Sequence, residues 1–205
     1  MSKSAPLQII YMLTESITQK LTYSQLPESN PSTAQKLPSA SSIKVELKEA
    51  WVEFIKRFEP YEWYVTLTFK EPKHPEAADK AFIRWIRYIN ECLYGRRYRE
   101  RKKGVTYVKC MEYQKRDVIH FHCLISDPHL KKLKRLDFME AWETDCYRSK
   151  ELVNGYARIF QYDATRGAVN YCSKYVLKGG EIDIYISHGQ WHLLNDQEPT
   201  LQFIN

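Results

Sequence analysis

Leu47, Ala50, Trp51, Phe54, Ile55 and Phe58 recur at i, i+3 and i+4, so 43–58 predicts an amphipathic helix, which Pro60 ends. The period then changes. Trp63 to Phe69 alternates, with Val65, Leu67 and Phe69 on one face and Tyr64, Thr66 and Thr68 on the other, as a strand does. A second helix is expected over 78–93, with Phe82, Trp85, Ile86, Ile89 and Leu93 on its buried stripe and Gly95 as its stop. Strands follow over 105–113 and 118–125, joined by Gln114-Lys-Arg-Asp117. Next come a helix over 136–147, a strand over 156–162, a helix over 168–177 closed by Gly179-Gly180, and a strand over 182–186. The central strands form a tight hairpin and must run antiparallel. The pattern is α+β: a central antiparallel sheet of about five strands with helices packed on it.

Before Ile43 the pattern fades. Leu7 to Leu21 reads as a short amphipathic helix or a strand. Thr22 to Ser42 is rich in Ser, Pro, Gln and Asn, with Pro27, Pro31 and Pro38. So polar a segment buries too little apolar surface to offset chain entropy. We expect an N-terminal extension and Ser/Pro-rich linker over 1–42 and a folded domain over 43–205.

Composition narrows the class. The 205 residues are 43% hydrophobic and 14% aromatic, enough for a core, and the net charge of +6 suits a nucleic-acid partner. The five cysteines are odd in number and show no C-x-x-C pairing, so they read as reduced thiols in a cytoplasmic protein. No apolar run approaches the roughly 20 residues of a membrane span, and Ile9 to Leu13 is too short for one. Neither a membrane partner nor a signal peptide is expected.

The hairpin can be tested by arithmetic. If its loop is Lys115, Arg116 and Asp117, then Gln114 faces Val118 and Glu112 falls directly opposite His120. His122 lies two residues further on the same face, so Glu112, His120 and His122 form a candidate metal site. Ile119, Phe121, Cys123 and Ile125 take the core face. A loop one residue shorter or longer would move Glu112 to the wrong side. Two imidazoles and a carboxylate leave coordination positions open and suit Mn²⁺ or Mg²⁺ once phosphate oxygens complete the shell, although zinc also binds such sets.

The helix over 168–177 carries Tyr171 and Tyr175 one turn apart, with Lys174 and Lys178 as an adjacent stripe. A tyrosine hydroxyl is a weak nucleophile at its usual pKa of about 10. A nearby ammonium favours the phenolate and neutralises phosphate charge. These four residues are the candidate catalytic group, and their chemistry is transfer of a phosphodiester to tyrosine. Gly95 to Gly104 adds Arg96, Arg97, Arg99, Arg101, Lys102 and Lys103, interleaved with Tyr94 and Tyr98, a candidate phosphate grip and base stack. Lys131, Lys132, Lys134 and Arg135 form a less distinctive basic cluster. His74, His129, His188 and His192 read as structural or surface residues.

Three motifs in this order resemble the HUH endonuclease superfamily, and within it the rolling-circle replication initiators (Rep proteins) of two-tyrosine type. Trp63 to Phe69 is similar to the first motif, Glu112 with His120-Phe-His122 to the metal motif, and Tyr171 to Lys178 to the tyrosine motif. The resemblance covers roughly Trp63 to Gly180. It implies a ferredoxin-like palm that nicks single-stranded DNA by a metal-dependent reaction through a 5′-phosphotyrosine intermediate. It implies sequence-specific action at a single-stranded or hairpin origin of a plasmid or phage, with Thr66 and Thr68 near the DNA. Related families differ over which tyrosine attacks first, and both stay open. The chain has no Walker A motif, so duplex unwinding calls for a separate helicase in trans. Two alternatives remain: a transposase or mobilisation relaxase with the same chemistry, and a non-catalytic nucleic-acid-binding regulator on the same scaffold.

Overall fold

The computed structural model describes residues 40–114, 117–177 and 181–190, and the chain divides into two compact units, Met1–Leu47 and Lys48–Asn205. The stretch Leu7 to Leu21 and His192 lie outside the described residues. Of the first unit only 40–47 are described, and they are helical, the start of α1 (Ala40–Lys56). That helix begins three residues before the expected start at Ile43, in what composition reads as linker.

The second unit carries β1 (Trp63–Thr68), α2 (Pro75–Tyr94), β2 (Thr106–Tyr113), β3 (Ile119–Ser126), α3 (Arg135–Glu143), β4 (Ala157–Gln161), α4 (Ala168–Leu177) and β5 (Ile182–Tyr185). The five strands make one sheet in the order β4-β1-β3-β2-β5, every neighbouring pair antiparallel. Such pairing follows from the hairpin and from the alternation in each strand. α2 opens with Pro75 at its first turn, where the missing N–H costs nothing. It closes at Gly95, whose φ of 76° suits glycine and whose N–H bonds to the Glu91 carbonyl.

Alternation sends Trp63, Val65 and Leu67 of β1 and Phe121, Cys123 and Ile125 of β3 to one face, where they join α2 and α3 in the main core. Phe82 meets Phe121 at 5.6 Å between ring centres, and Trp85 meets Trp142 at 6.3 Å. α3 is shorter than the expected 136–147. It ends at Glu143, and Asp145, Cys146 and Tyr147 then take φ values of 51°, 60° and 59°. Three successive left-handed residues cannot continue a right-handed helix. The other sheet face is covered over β2 and β3 by α4. Tyr61, buried beside Cys110 and Cys172, donates its hydroxyl hydrogen to the Ile55 carbonyl at 2.6 Å.

Lys109 is the exception on the core face. It is 5% exposed, and its ammonium pairs with Asp79 of α2 at 2.7 Å and Asp183 of β5 at 3.3 Å. It also lies 5.2 Å and 5.3 Å from the ring centres of Phe82 and Phe121. Burial pulls its pKa down most strongly, but the two carboxylates together outweigh burial and raise it.

Gly155 is required by close approach. Its N–H bonds to the Thr68 carbonyl at 3.0 Å, and an added Cβ would stand 2.8 Å from the carbonyl carbon and oxygen of Thr68. Backbone cannot swing aside as a flexible side chain can. Gly155→Ala is therefore expected to cost about 2–3 kcal/mol, read as a lower denaturant midpoint with unchanged slope. An unchanged midpoint would show that the strand end yields freely.

Candidate active site

The hairpin holds the register that its loop length implies. Glu112 pairs with His120 and Cys110 with His122, and the Gln114 N–H reaches the Val118 carbonyl at 3.1 Å. On the other side of β3, Thr68 pairs with His120 and Thr66 with His122. Glu112, His120, His122, Thr66 and Thr68 therefore share one sheet face, opposite the main core.

His120 and His122 are 9% and 7% exposed. The Glu112 carboxylate reaches diagonally to His122, Oε2 to Nε2 at 3.4 Å. The other ring nitrogen, Nδ1, lies 3.3 Å from the Thr66 hydroxyl. A ring with its proton on Nε2 satisfies both, donating to Glu112 and accepting from Thr66. Burial lowers the His122 pKa from 6.5 and is the larger influence, with Glu112 opposing it. A neutral imidazole is the form that binds metal. Donor chemistry and face thus suit a divalent cation. Still, among the described residues no three His, Cys, Asp or Glu side chains converge for one as they stand. Glu112 and His122 are brought together, and His120 stands opposite Glu112 without completing a cluster.

The helix α4 carries the candidate tyrosines to this same face. Cys172 and Ser173 are buried, and the Cys110 thiol lies 3.6 Å from the Cys172 carbonyl. Cys110 is the residue directly opposite His122. Tyr171, Lys174 and Tyr175 are on this helix, with side chains outside what is described, and Lys178 lies outside the described residues.

The basic stretch lies elsewhere. Arg96, Arg97, Arg99, Arg101, Lys102 and Lys103 are in the loop that enters β2 at Thr106, and all but Arg99's neighbour Tyr98 are exposed there. Glu112 is six residues along that strand, about 20 Å away. The loop and the histidines therefore occupy opposite ends of the sheet. Its aromatics are not offered to bases: Tyr98 is buried with the Arg99 guanidinium over its ring at 5.6 Å, and Tyr94 donates its hydroxyl hydrogen to Asp127. His129 is structural, its Nδ1 3.1 Å from Asp127.

One residue beside the histidines escapes sequence reasoning. Arg158 of β4 pairs with Thr66 and so stands in the same row as His122, one strand beyond it. Its strand is legible from alternation, but nothing local says that β4 lies next to β1.

A family model described as Replication-associated protein ORF2 matches residues 62–180, more than half of the chain and a span that holds β1, the histidine hairpin and α4. No curated protein and no solved structure matches the chain.

Proposed function

The chain belongs to the ORF2 family of replication-associated proteins, and from that premise we propose that it nicks single-stranded DNA at a replication origin and rejoins it through a phosphotyrosine intermediate. The observation that carries this reading is the packing of α4 on the histidine face, through Cys172 and the Cys110 that opposes His122. Nucleophile-bearing helix and ligand-bearing strands meet at one place.

Glu112, His120 and His122 would hold the divalent cation, Mn²⁺ or Mg²⁺. Bound there, it would polarise the scissile phosphate and offset its charge. Tyr171 or Tyr175 attacks the phosphorus, the bond to the 3′ oxygen breaks, and the 5′ phosphate stays on the tyrosine. The phenolic proton passes to solvent and the departing 3′ oxygen takes one up. Lys174 and Lys178 favour the phenolate and balance phosphate charge. Thr66 holds the His122 ring at 3.3 Å, fixing its orientation from behind. Attack of a 3′-OH on the ester reverses the step, so strand joining needs no ATP.

A denaturing gel tests this. With an origin-derived single strand and Mn²⁺, the wild-type chain is expected to shift by the mass of the attached DNA. The shift should vanish when Tyr171→Phe and Tyr175→Phe are combined. An adduct that survives both substitutions would overturn the assignment.

A further inference from the structure

Among the described residues, α4 covers the histidine face over β2 and β3, and no helix covers the half formed by β1 and β4. There Tyr64, Thr66 and Thr68 are half-buried, and the edge strand presents Tyr156 at 69% exposure and Phe160 at 51%, with exposed Arg158 between them. Alternation puts Arg158 and Phe160 on the same side, since Ala157 and Ile159 are buried on the other. Large rings left in water along a strand mark a binding surface when they sit together and beside a charge.

The spacing suits an extended single strand. Tyr156 and Phe160 are four residues apart, about 13 Å along the strand, and Arg158 lies midway. Arg158 shares Thr66 as neighbour with His122. Two strand spacings separate their Cα atoms by about 10 Å, within reach of an arginine and one nucleotide. Aromatic faces take bases of any sequence, and a guanidinium takes the phosphate between them.

We propose that the β1–β4 half of the histidine face is a stacking platform for single-stranded DNA. Tyr156 and Phe160 stack on bases, and Arg158 holds the intervening phosphate, next to the phosphate that is cut. The placement of the cut rests on the nickase reading above, whereas the binding surface can be tested alone.

The probe is fluorescein-labelled dT20, titrated by anisotropy with the full chain in EDTA so that no cleavage intervenes. Tyr156→Ala with Phe160→Ala is expected to weaken binding by about tenfold or more. Phe160→Trp should restore most of what Phe160→Ala loses. Arg158→Ala should lower the slope of log K against log[salt] by about 0.7. The residues are exposed, and the Tyr171→Phe, Tyr175→Phe chain should bind like wild type. If the double alanine variant binds dT20 as tightly as wild type while wild type still forms the tyrosine adduct, the platform is wrong and the nickase reading stands. If no adduct forms but the platform variants lose binding, the nickase reading fails and the platform is supported.

Discussion

His120→Gln combined with His122→Gln is expected to abolish Mn²⁺-dependent cleavage of single-stranded DNA, a loss on the order of 10³-fold or more, in a chain that still folds. Glutamine keeps hydrogen-bonding capacity at two positions that are 9% and 7% exposed, so Glu112 and Thr66 retain a partner at position 122. What it removes is the pair of imidazole donors. Two readouts separate loss of the metal from loss of the fold. Circular dichroism should be unchanged. Mn²⁺ at a hundred times its Kd should stabilise wild type by about 2.7 kcal/mol and the variant by nothing. A variant that still gains stability from Mn²⁺, or still cleaves, would remove the histidines from the site.

The second large effect lies in the core. Asp79→Asn with Asp183→Asn is expected to cost about 3–5 kcal/mol at pH 7, because it leaves the Lys109 ammonium buried without a counter-charge. The sign with pH follows from the causes acting on Lys109. In the native chain the carboxylates outweigh burial and hold its pKa up. Without them burial acts alone, and the folded-state pKa falls below the unfolded value of about 10.4. The unfolded chain then binds more protons across that window, so stability rises with pH. The deficit should shrink as pH is raised from 7 towards 10 in urea titrations. Lys109→Met should cost far less, since the two aspartates are about half exposed and can hydrate. An equal loss for Lys109→Met, or a deficit that grows with pH, would contradict a buried ammonium held by two carboxylates.

The histidine hairpin is legible in the sequence because everything that sets it is local. A three-residue loop and a period of two decide which residues face one another, and Glu112 opposes His120 accordingly. Lys109 is not legible in this way. Both faces of β2 are covered, so the strand lacks the polar-out alternation that would mark a core position, and the pairing with Asp183 comes from β5, far along the chain. The end of α3 is hidden for a different reason. Hydrophobic spacing carries no sign of the left-handed turn at Asp145 to Tyr147. The basic loop shows the same limit at larger scale. Its charges can be counted in the sequence, but strand direction puts them about 20 Å from Glu112. Arg158 is the converse case: it reaches the row of His122 through a β1–β4 pairing between segments distant in sequence.

Peptide mapping of the covalent adduct bears most directly on transfer of DNA to the α4 tyrosines. Trypsin cuts after Arg166, Lys174 and Lys178, so Tyr171 falls in the peptide Gly167–Lys174 and Tyr175 in Tyr175–Lys178. After reaction with a single-stranded origin in Mn²⁺, nuclease and trypsin digestion, mass spectrometry should find a nucleotide phosphate on one or both of these peptides. A nucleotide on any other peptide, or on none, would contradict it.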